Sequence, residues 1–379
     1  MNIEIILLFL YTYHDYLIIV ILLRYLIFKI GGTSMITNIS LYNFKIFEGE
    51  NTIDISNNLH TDIAIVCSSG SGKSSILQAV DWCLFGTRST ANSNEQYNHL
   101  ANFNMLNNNP NKQIKVYVEL HLTNNHKSSI TLRRESEFIL EFGWVICNQP
   151  DTLYINRNPV NNFDYSQCIA KYFPKSLQVL ECNGLQQIPF PFSKWLHDKL
   201  LIILSENIFG CNFLSNSLKE QLIIKYTESL CESLDNIYHS LSPICTEDNF
   251  SIENGMIILH DKYSTYNSIS TLSCYQRCAL QLSIFLALQE LCEQISSTSH
   301  GPIFIDTDCL WGHDASIENN ILEQFLNLCH GRQVILTISN KDSRNFLQKY
   351  PHFNAFESIK SEKGHAGIIT AYISNLTNI

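Results

Sequence analysis

The sequence predicts an α/β fold: buried strands between helices with a phosphate-binding loop, an added antiparallel β-sheet and a short helical insertion. Three observations lead there. An early apolar strand (Ile63, Ala64, Ile65, Val66) runs into a small-residue loop and then a helix. A late apolar strand, GPIFID (301–306), ends in an acid. Between and after them, apolar runs alternate with helical periodicity, while KVYVELHL (115–122) and SITLRRESEF (129–138) alternate with period two as a hairpin does.

The chain of 379 residues, 45% hydrophobic and 16% charged, is long enough for an ample core and is globular in composition. Its formal net charge of −10 argues against a broad coat of nucleic acid, while leaving room for a local basic groove. The 13 cysteines are scattered without a C-x-x-C pair, so they read as buried free thiols of a reducing, cytoplasmic compartment. Cys274 and Cys278 sit one helical turn apart but have no partner at zinc-ligand spacing.

Residues 3–30 are strongly apolar. Their length suits a membrane-spanning helix over 5–28, with Arg24 and Lys29 keeping the rest cytosolic, but His14 and Asp15 would be costly at its centre. The alternative is that residues 1–34 are an extension outside the fold and that the domain opens at Met35. From Met35 to Ile55 two strands are joined by a turn at Glu48-Gly49-Glu50. Residues 87–112 are Asn-rich and read as a loop or lid. Arg133 and Arg134, on the second hairpin strand, read as a basic patch or, more commonly, as solvated strand ends. Helices are expected over 192–206 and 214–241, the second stopped by Pro243 and only about 40 Å long. Ile252–Leu259, broken by Glu253-Asn254-Gly255, reads as another hairpin. A long helix over 273–295 has Ser273 as its N-cap. A strand over 301–306, a helix over 315–329, a strand over 333–338 and a closing strand in HAGIITAYI complete the chain.

The sequence CSSGSGKSS (67–75) follows the pattern G-x-x-x-x-G-K-[ST], with Cys67 where the first glycine would stand. The order of parts suits nucleotide phosphates. Ser69, Gly70, Ser71 and Gly72 form a backbone nest, Lys73 reaches the β- and γ-phosphates, Ser74 offers a hydroxyl to Mg²⁺, and Ser75, which opens the following helix, is a further nucleotide contact. Asp306 at the tip of a buried strand is the expected second contributor, although an acid there is generic to such folds.

Four blocks resemble the ABC-type heads of the SMC and SbcC group of chromosome and repair ATPases, and within it the DndD-type ATPases of DNA sulfur modification. They are NFKIFEGENTIDI, the loop with AVDWCLFG, STLSCYQRCALQLSIFLALQEL, and IFIDTD…SIENNILEQF…QVILTISN. The resemblance covers about residues 35–75 and 245–345. It divides the chain into residues 1–34 and a head over 35–379, the latter comprising an N-terminal lobe (35–185), a helical stub (186–245) and a C-terminal lobe (246–379). It implies ATP and Mg²⁺ as cofactors, with Ser74 and Asp306 as metal ligands and Lys45 as a further nucleotide contact. It also implies Asp306, Thr307 and Ser273 as catalytic residues, Ser273 acting across a dimer of heads. The implied partners are DNA and a second head or another subunit of a DNA-processing complex. Thr307 stands at the usual glutamate position, as in DndD-like proteins. Other departures are Asp308 for proline, Ser339 near the usual histidine, a weak Asn183-Gly184 segment, and no long coiled coil or zinc hook. Tyr275 replaces the signature glycine, where its ring either crowds the phosphate across the dimer or turns aside. With Cys67 and Thr307 it keeps open a non-hydrolysing scaffold, and a membrane-anchored transport ATPase is a weaker rival.

Overall fold

The computed structural model describes residues 34–56, 60–68, 70–86, 100–124, 128–170, 172, 192–205, 216–243, 248–260, 272–296, 301–306, 315–361 and 370–375. Both readings of residues 1–34, the Asn183-Gly184 segment, Ser69, Thr307 and Asp308 lie outside them, Ser34 apart.

Among the described residues two large sheets, a two-stranded hairpin and the helices packed on them build the molecule. The chain opens with β1 (Ser34–Tyr42), β2 (Glu50–Asp54) and β3 (Ile63–Cys67), and continues with α1 (Lys73–Phe85) and α2 (Phe103–Asn108). Next come β4 (Ile114–Asn124), β5 (Ser129–Glu141), β6 (Trp144–Ile155), β7 (Asn158–Val160) and α3 (Asn162–Ile169). Helices α4 (Phe192–Leu204) and α5 (Asn216–Leu241) precede the hairpin β8 (Asn249–Glu253) and β9 (Met256–His260). The last part comprises α6 (Cys274–Ser296), β10 (Ile303–Asp306), α7 (Ala315–Leu328), β11 (Val334–Ser339), α8 (Asn340–Lys349), β12 (Asn354–Ser361) and β13 (Thr370–Asn375).

The central sheet has the order β10-β11-β3-β12-β13, its first four strands parallel and β13 antiparallel to β12. Its strands are apolar on both faces because both faces are covered. Ile63, Ile65 and Cys67, with Phe304, Ile335 and Phe356, face a core shared with α1 and the antiparallel sheet. Ala64 and Val66, with Ile303, Ile305, Val334, Leu336 and Ile338, face the second core, formed with α4 to α8 and β9. The period of two in side-chain direction thus distributes one strand between two cores. The antiparallel sheet has the order β2-β1-β4-β5-β6-β7. Helix α1 fills the space beneath it, burying Ile76, Leu77, Ala79, Val80, Trp82, Cys83 and Leu84.

One buried side chain ties the two sheets together. Gln333, just before β11, donates to the carbonyls of Ile36 (2.8 Å) and Thr61 (2.6 Å) and accepts from the Ile36 N–H (2.7 Å). Gln333→Leu fills the same space yet leaves three backbone groups without partners. It is expected to lower unfolding free energy by about 2–3 kcal/mol, since each unsatisfied buried group costs on the order of 1–3. A urea midpoint unchanged from the parent would show that water or local adjustment supplies those bonds.

Several expectations are corrected. The segment 87–112 is not only loop, because α2 forms where the Asn102 side chain accepts from the Met105 N–H (3.0 Å) as an N-cap. Strands β6, β7 and β12 and helices α3 and α8 go beyond what the sequence pattern predicts. β6 carries Pro150, tolerated because β7 pairs only with the far end of that strand. β12 is the parallel neighbour of β3, and its polar sequence NAFESIKS conceals it. Neither Arg133 nor Arg134 is a solvated strand end or part of a basic patch. Arg133 stacks on Tyr117 (3.6 Å to the ring centroid) and pairs with Glu135 (2.5 Å). Arg134 is buried at the end of α1.

The eight cysteines whose side chains are described are free thiols, and all but Cys147 are buried. Burial pushes the Cys83 thiol up to about 11, as expected of an inert core thiol. Among the described residues no helix is long and apolar enough to cross a membrane.

Candidate nucleotide site

The loop after β3 lies at the carboxyl end of the parallel strands, where open α/β sheets bind ligands. Two glycines shape it. Gly70 (φ 75°) and Gly72 (φ 99°) both occupy left-handed conformations that side chains disfavour. Gly72 is also closely covered: a Cβ there would meet Ile46 Cδ1 at 2.6 Å and Phe47 Cζ at 2.9 Å. The turn joining β1 to β2 therefore packs directly on the start of α1. Gly72 is the N-cap of α1 and supplies no side-chain acceptor. The first-turn N–H groups, those of Ser74 and Ser75 among them, thus face outward uncapped by a side chain, in the arrangement that attracts anions.

Ser71 has a different part. It is fully buried; its N–H (3.1 Å) and its hydroxyl (2.8 Å) both donate to the Ser68 carbonyl. Its own carbonyl accepts from the buried Ser358 hydroxyl of β12 (2.6 Å). Ser71 closes the loop and anchors it to the sheet rather than presenting its hydroxyl to a ligand. Sequence reasoning missed Ser358, because β12 carries no recognisable signal.

Cys67 ends β3 in extended conformation, with its Cα partnered by Ser339 on one side and Ser358 on the other. Its side chain packs into the core at 1% exposure. Nothing at this position requires positive φ, so the missing glycine leaves the loop's path intact.

Lys45 (φ 51°) lies in the same covering turn, and its Nζ donates to Gln78 Oε1, one helical turn beyond Ser74. The structure thus brings Lys45 to the helix that begins with Lys73 and Ser74. Asp306 ends β10, two strands from β3. The register Asp306↔Thr337 and Thr337↔Ile65 sets it level with Ile65, about 10 Å across the sheet at the usual strand spacing. The backbone therefore places Asp306 at the same sheet edge as the loop.

Ser273 lies at the exposed start of α6, a helix that packs in the second core rather than in the core of α1. It caps that helix: its hydroxyl accepts from the Gln276 N–H (3.2 Å), while Gln276 Oε1 accepts from the Ser273 N–H (3.0 Å). This reciprocal pair is a capping box. Gln276 Nε2 also donates to Asp248 (2.9 Å), which accepts from the buried Tyr238 hydroxyl (2.7 Å). Beside it the Tyr275 hydroxyl donates to the carbonyl of Leu241, the last residue of α5 (3.1 Å). The ring packs against the helical core and so turns inward, away from the exposed cap. Tyr275→Phe removes only that hydroxyl. It should cost about 1 kcal/mol and speed amide exchange in the first turn of α6 and the last turn of α5. Unaltered exchange in both turns would mean the bond does not hold the helices together.

Residues 38–195 match the family model described as an AAA domain. The sequence matches none of the curated proteins. Among solved structures, the chain is similar to the crystal structure of the Smc head domain with a coiled coil and joint derived from Pyrococcus yayanosii. That likeness has a TM-score of 0.53 at 11% identity and covers 91% of this chain and 98% of that one. The chain thus has the P-loop α/β fold of an SMC head, with its added antiparallel sheet, and its residues 38–195 are similar to an AAA domain.

Proposed function

We propose that this chain is an ATP-binding SMC-type head that hydrolyses ATP as a dimer of heads and acts on DNA. The observation that carries it is the loop itself: two left-handed glycines, an uncapped α1 N-terminus, and Lys73 and Ser74 on its first turn. These residues fit a magnesium nucleotide. Backbone N–H groups and Lys73 would hold the phosphates, and Ser74 with Asp306 would hold Mg²⁺, which supplies charge neutralisation at the phosphates. Lys45 would approach the same phosphates from the covering turn. Ser273, exposed at the start of α6, would serve the nucleotide of a second head, and Thr307 would follow Asp306 in the sequence. Residues 1–34 would be dispensable to this head apart from Ser34, the buried first residue of β1. The finer likeness to DndD-type ATPases would place the activity in DNA modification or defence.

A second reading, a nucleotide-binding scaffold with little turnover, rests on Tyr275 at the signature position. The inward course of its ring supports the hydrolytic reading instead, because its hydroxyl is held by the Leu241 carbonyl and its ring packs on the helical core.

Lys73→Ala tests the proposal. Loss of a charge-assisted phosphate contact should weaken ATP binding by about 1.5–3 kcal/mol, or roughly tenfold to more than a hundredfold in Kd. Titration calorimetry with wild type and variant measures it. Equal affinities would remove the basis of the reading. ATP turnover by wild type, measured with and without DNA, would then decide between ATPase and scaffold.

A further inference from the structure

The β5–β6 hairpin carries a feature that nucleotide binding does not use. Its two-residue turn is Phe142–Gly143, with φ of 50° and 81°. Both values are positive, the type I′ geometry that favours Asn-Gly. A phenylalanine in that conformation is strained, and its side chain is 100% exposed, so it gains nothing within its own chain. Trp144 (72%) and Ile146 (42%) continue the exposed apolar surface along β6.

The same stretch is an open sheet edge. Among the described residues β7 is the only strand on that side of β6, and it pairs with Leu153, Tyr154 and Ile155 alone. Glu141 and Trp144 close the hairpin. A closing pair exchanges its backbone bonds inward, so Val145 and Cys147 turn their N–H and C=O groups outward. Protected edges carry a proline, a bulge, or a lysine or another charge. Pro150 and the bulge between Cys147 and Gln149 lie beyond Val145–Cys147, which leaves charge to protect that stretch. From Phe142 to Pro150, FGWVICNQP, there is none.

We infer that this edge is a homotypic docking surface, on which a second copy of the chain adds its own β6 antiparallel about a two-fold axis at Ile146. The groups left outward are backbone donors and acceptors, which an extended strand satisfies. An identical strand satisfies them reciprocally: Val145 pairs with Cys147 of the second copy and Cys147 with its Val145. Ile146 then lies against Ile146, in the non-hydrogen-bonded position where side chains come closest. The lack of charge from 142 to 150 lets a second copy approach here and hardly anywhere else. With a net charge of −10, two chains repel over most of their surface, and this strip brings no like charges together. The contact is continuous across two sheets and independent of nucleotide, unlike the proposed apposition of heads around ATP.

The test uses the full chain carrying Lys73→Ala, without nucleotide, so that its outcome is separate from that of the proposed ATP reading. Sedimentation across a concentration series should show a monomer–dimer equilibrium. Ile146→Glu, a substitution at an exposed site, should raise the dimer dissociation constant about tenfold or more by setting two carboxylates against each other. Ile146→Cys combined with Cys147→Ser should form, on mild oxidation, a disulfide between position 146 of the two copies, identified by peptide mass. A chain that stays monomeric at every concentration, or a dimer indifferent to Ile146→Glu, would overturn the inference. A dimer lacking the 146–146 link would overturn the proposed antiparallel register.

Discussion

Arg134→Met is expected to destabilise the protein by about 3–5 kcal/mol, the usual effect of removing one partner from a buried ion pair. The Arg134 side chain is 7% exposed, and its Nη1 lies 2.7 Å from Asp151 Oδ2. Its Nε donates to the Cys83 carbonyl (3.2 Å) in the last turn of α1. The Tyr165 hydroxyl donates to that same carbonyl (2.9 Å), so two elements of the antiparallel lobe converge on one helix end. A cation there also opposes the negative end of the helix dipole. Methionine keeps most of the apolar stem but removes the charge, leaving Asp151 with the neutral Ser136 hydroxyl (2.6 Å) in place of a cation. The double variant Arg134→Met with Asp151→Leu separates the causes. If the stranded carboxylate is the main cost, the second change restores part of the loss. Urea unfolding measures both, and a single variant within about 1 kcal/mol of the parent would show that Arg134 is not a structural cap.

Because α1 begins at the phosphate loop and ends at Arg134, this cap bears on the site as well as on stability. The helix is apolar on most of its surface and is buried between two sheets. Its polar side chains Ser74, Gln78 and Asp81 form one half-buried stripe, on which Gln78 accepts from Lys45. Arg134 and Tyr165 hold one end. At the other end, Gly72 packs under Ile46 and Phe47, and Ser71 is bonded to Ser358.

The legibility of the chain follows the same physics. Strands buried on both faces announce themselves as continuous apolar runs, which makes β3, β10 and β11 plain in the sequence. The long helices α5 and α6 show their periodicity or their cap, and Ser273 is recognisable as an N-cap from the residues around it. Elements whose stability comes from context are hidden. β12 is polar in sequence because only residues such as Phe356 and Ser358 face inward. β6 breaks its pattern with Asn148, Gln149 and Pro150, which an edge strand tolerates and a central strand would not. The loop residues are legible as a group, but the division of labour within them is not. That Ser71 faces Ser68 and Ser358 depends on a strand from the far end of the chain. Tyr275, taken from its position alone, suggests an obstruction, whereas the course of its ring is set by the end of α5, 34 residues earlier.

Gly72→Ala should be the most damaging small substitution in the loop, costing roughly 4 kcal/mol and abolishing detectable nucleotide binding. Two costs add. A φ of 99° strains any residue with a Cβ, at about 1–3 kcal/mol. The new methyl group would also stand 2.6 Å from Ile46 Cδ1 and 2.9 Å from Phe47 Cζ, and relieving such overpacking costs about 1–3 kcal/mol more. Phe47 is fully buried and has little room to yield. Relief must therefore come from moving either the covering turn, which carries Lys45, or the start of α1, which carries Lys73 and Ser74. Either movement takes a proposed phosphate contact out of place. Gly70 provides the control. Its φ of 75° is also left-handed, but a Cβ there meets nothing within 4 Å. Gly70→Ala should therefore cost only the strain, about 1–2 kcal/mol, and Gly70→Asn less, because asparagine tolerates this region. Urea unfolding and ATP titration across the three variants should rank Gly72→Ala as much the worst in both. If Gly70→Ala proves equally harmful to stability, strain alone governs the loop and the close cover of Ile46 and Phe47 contributes nothing.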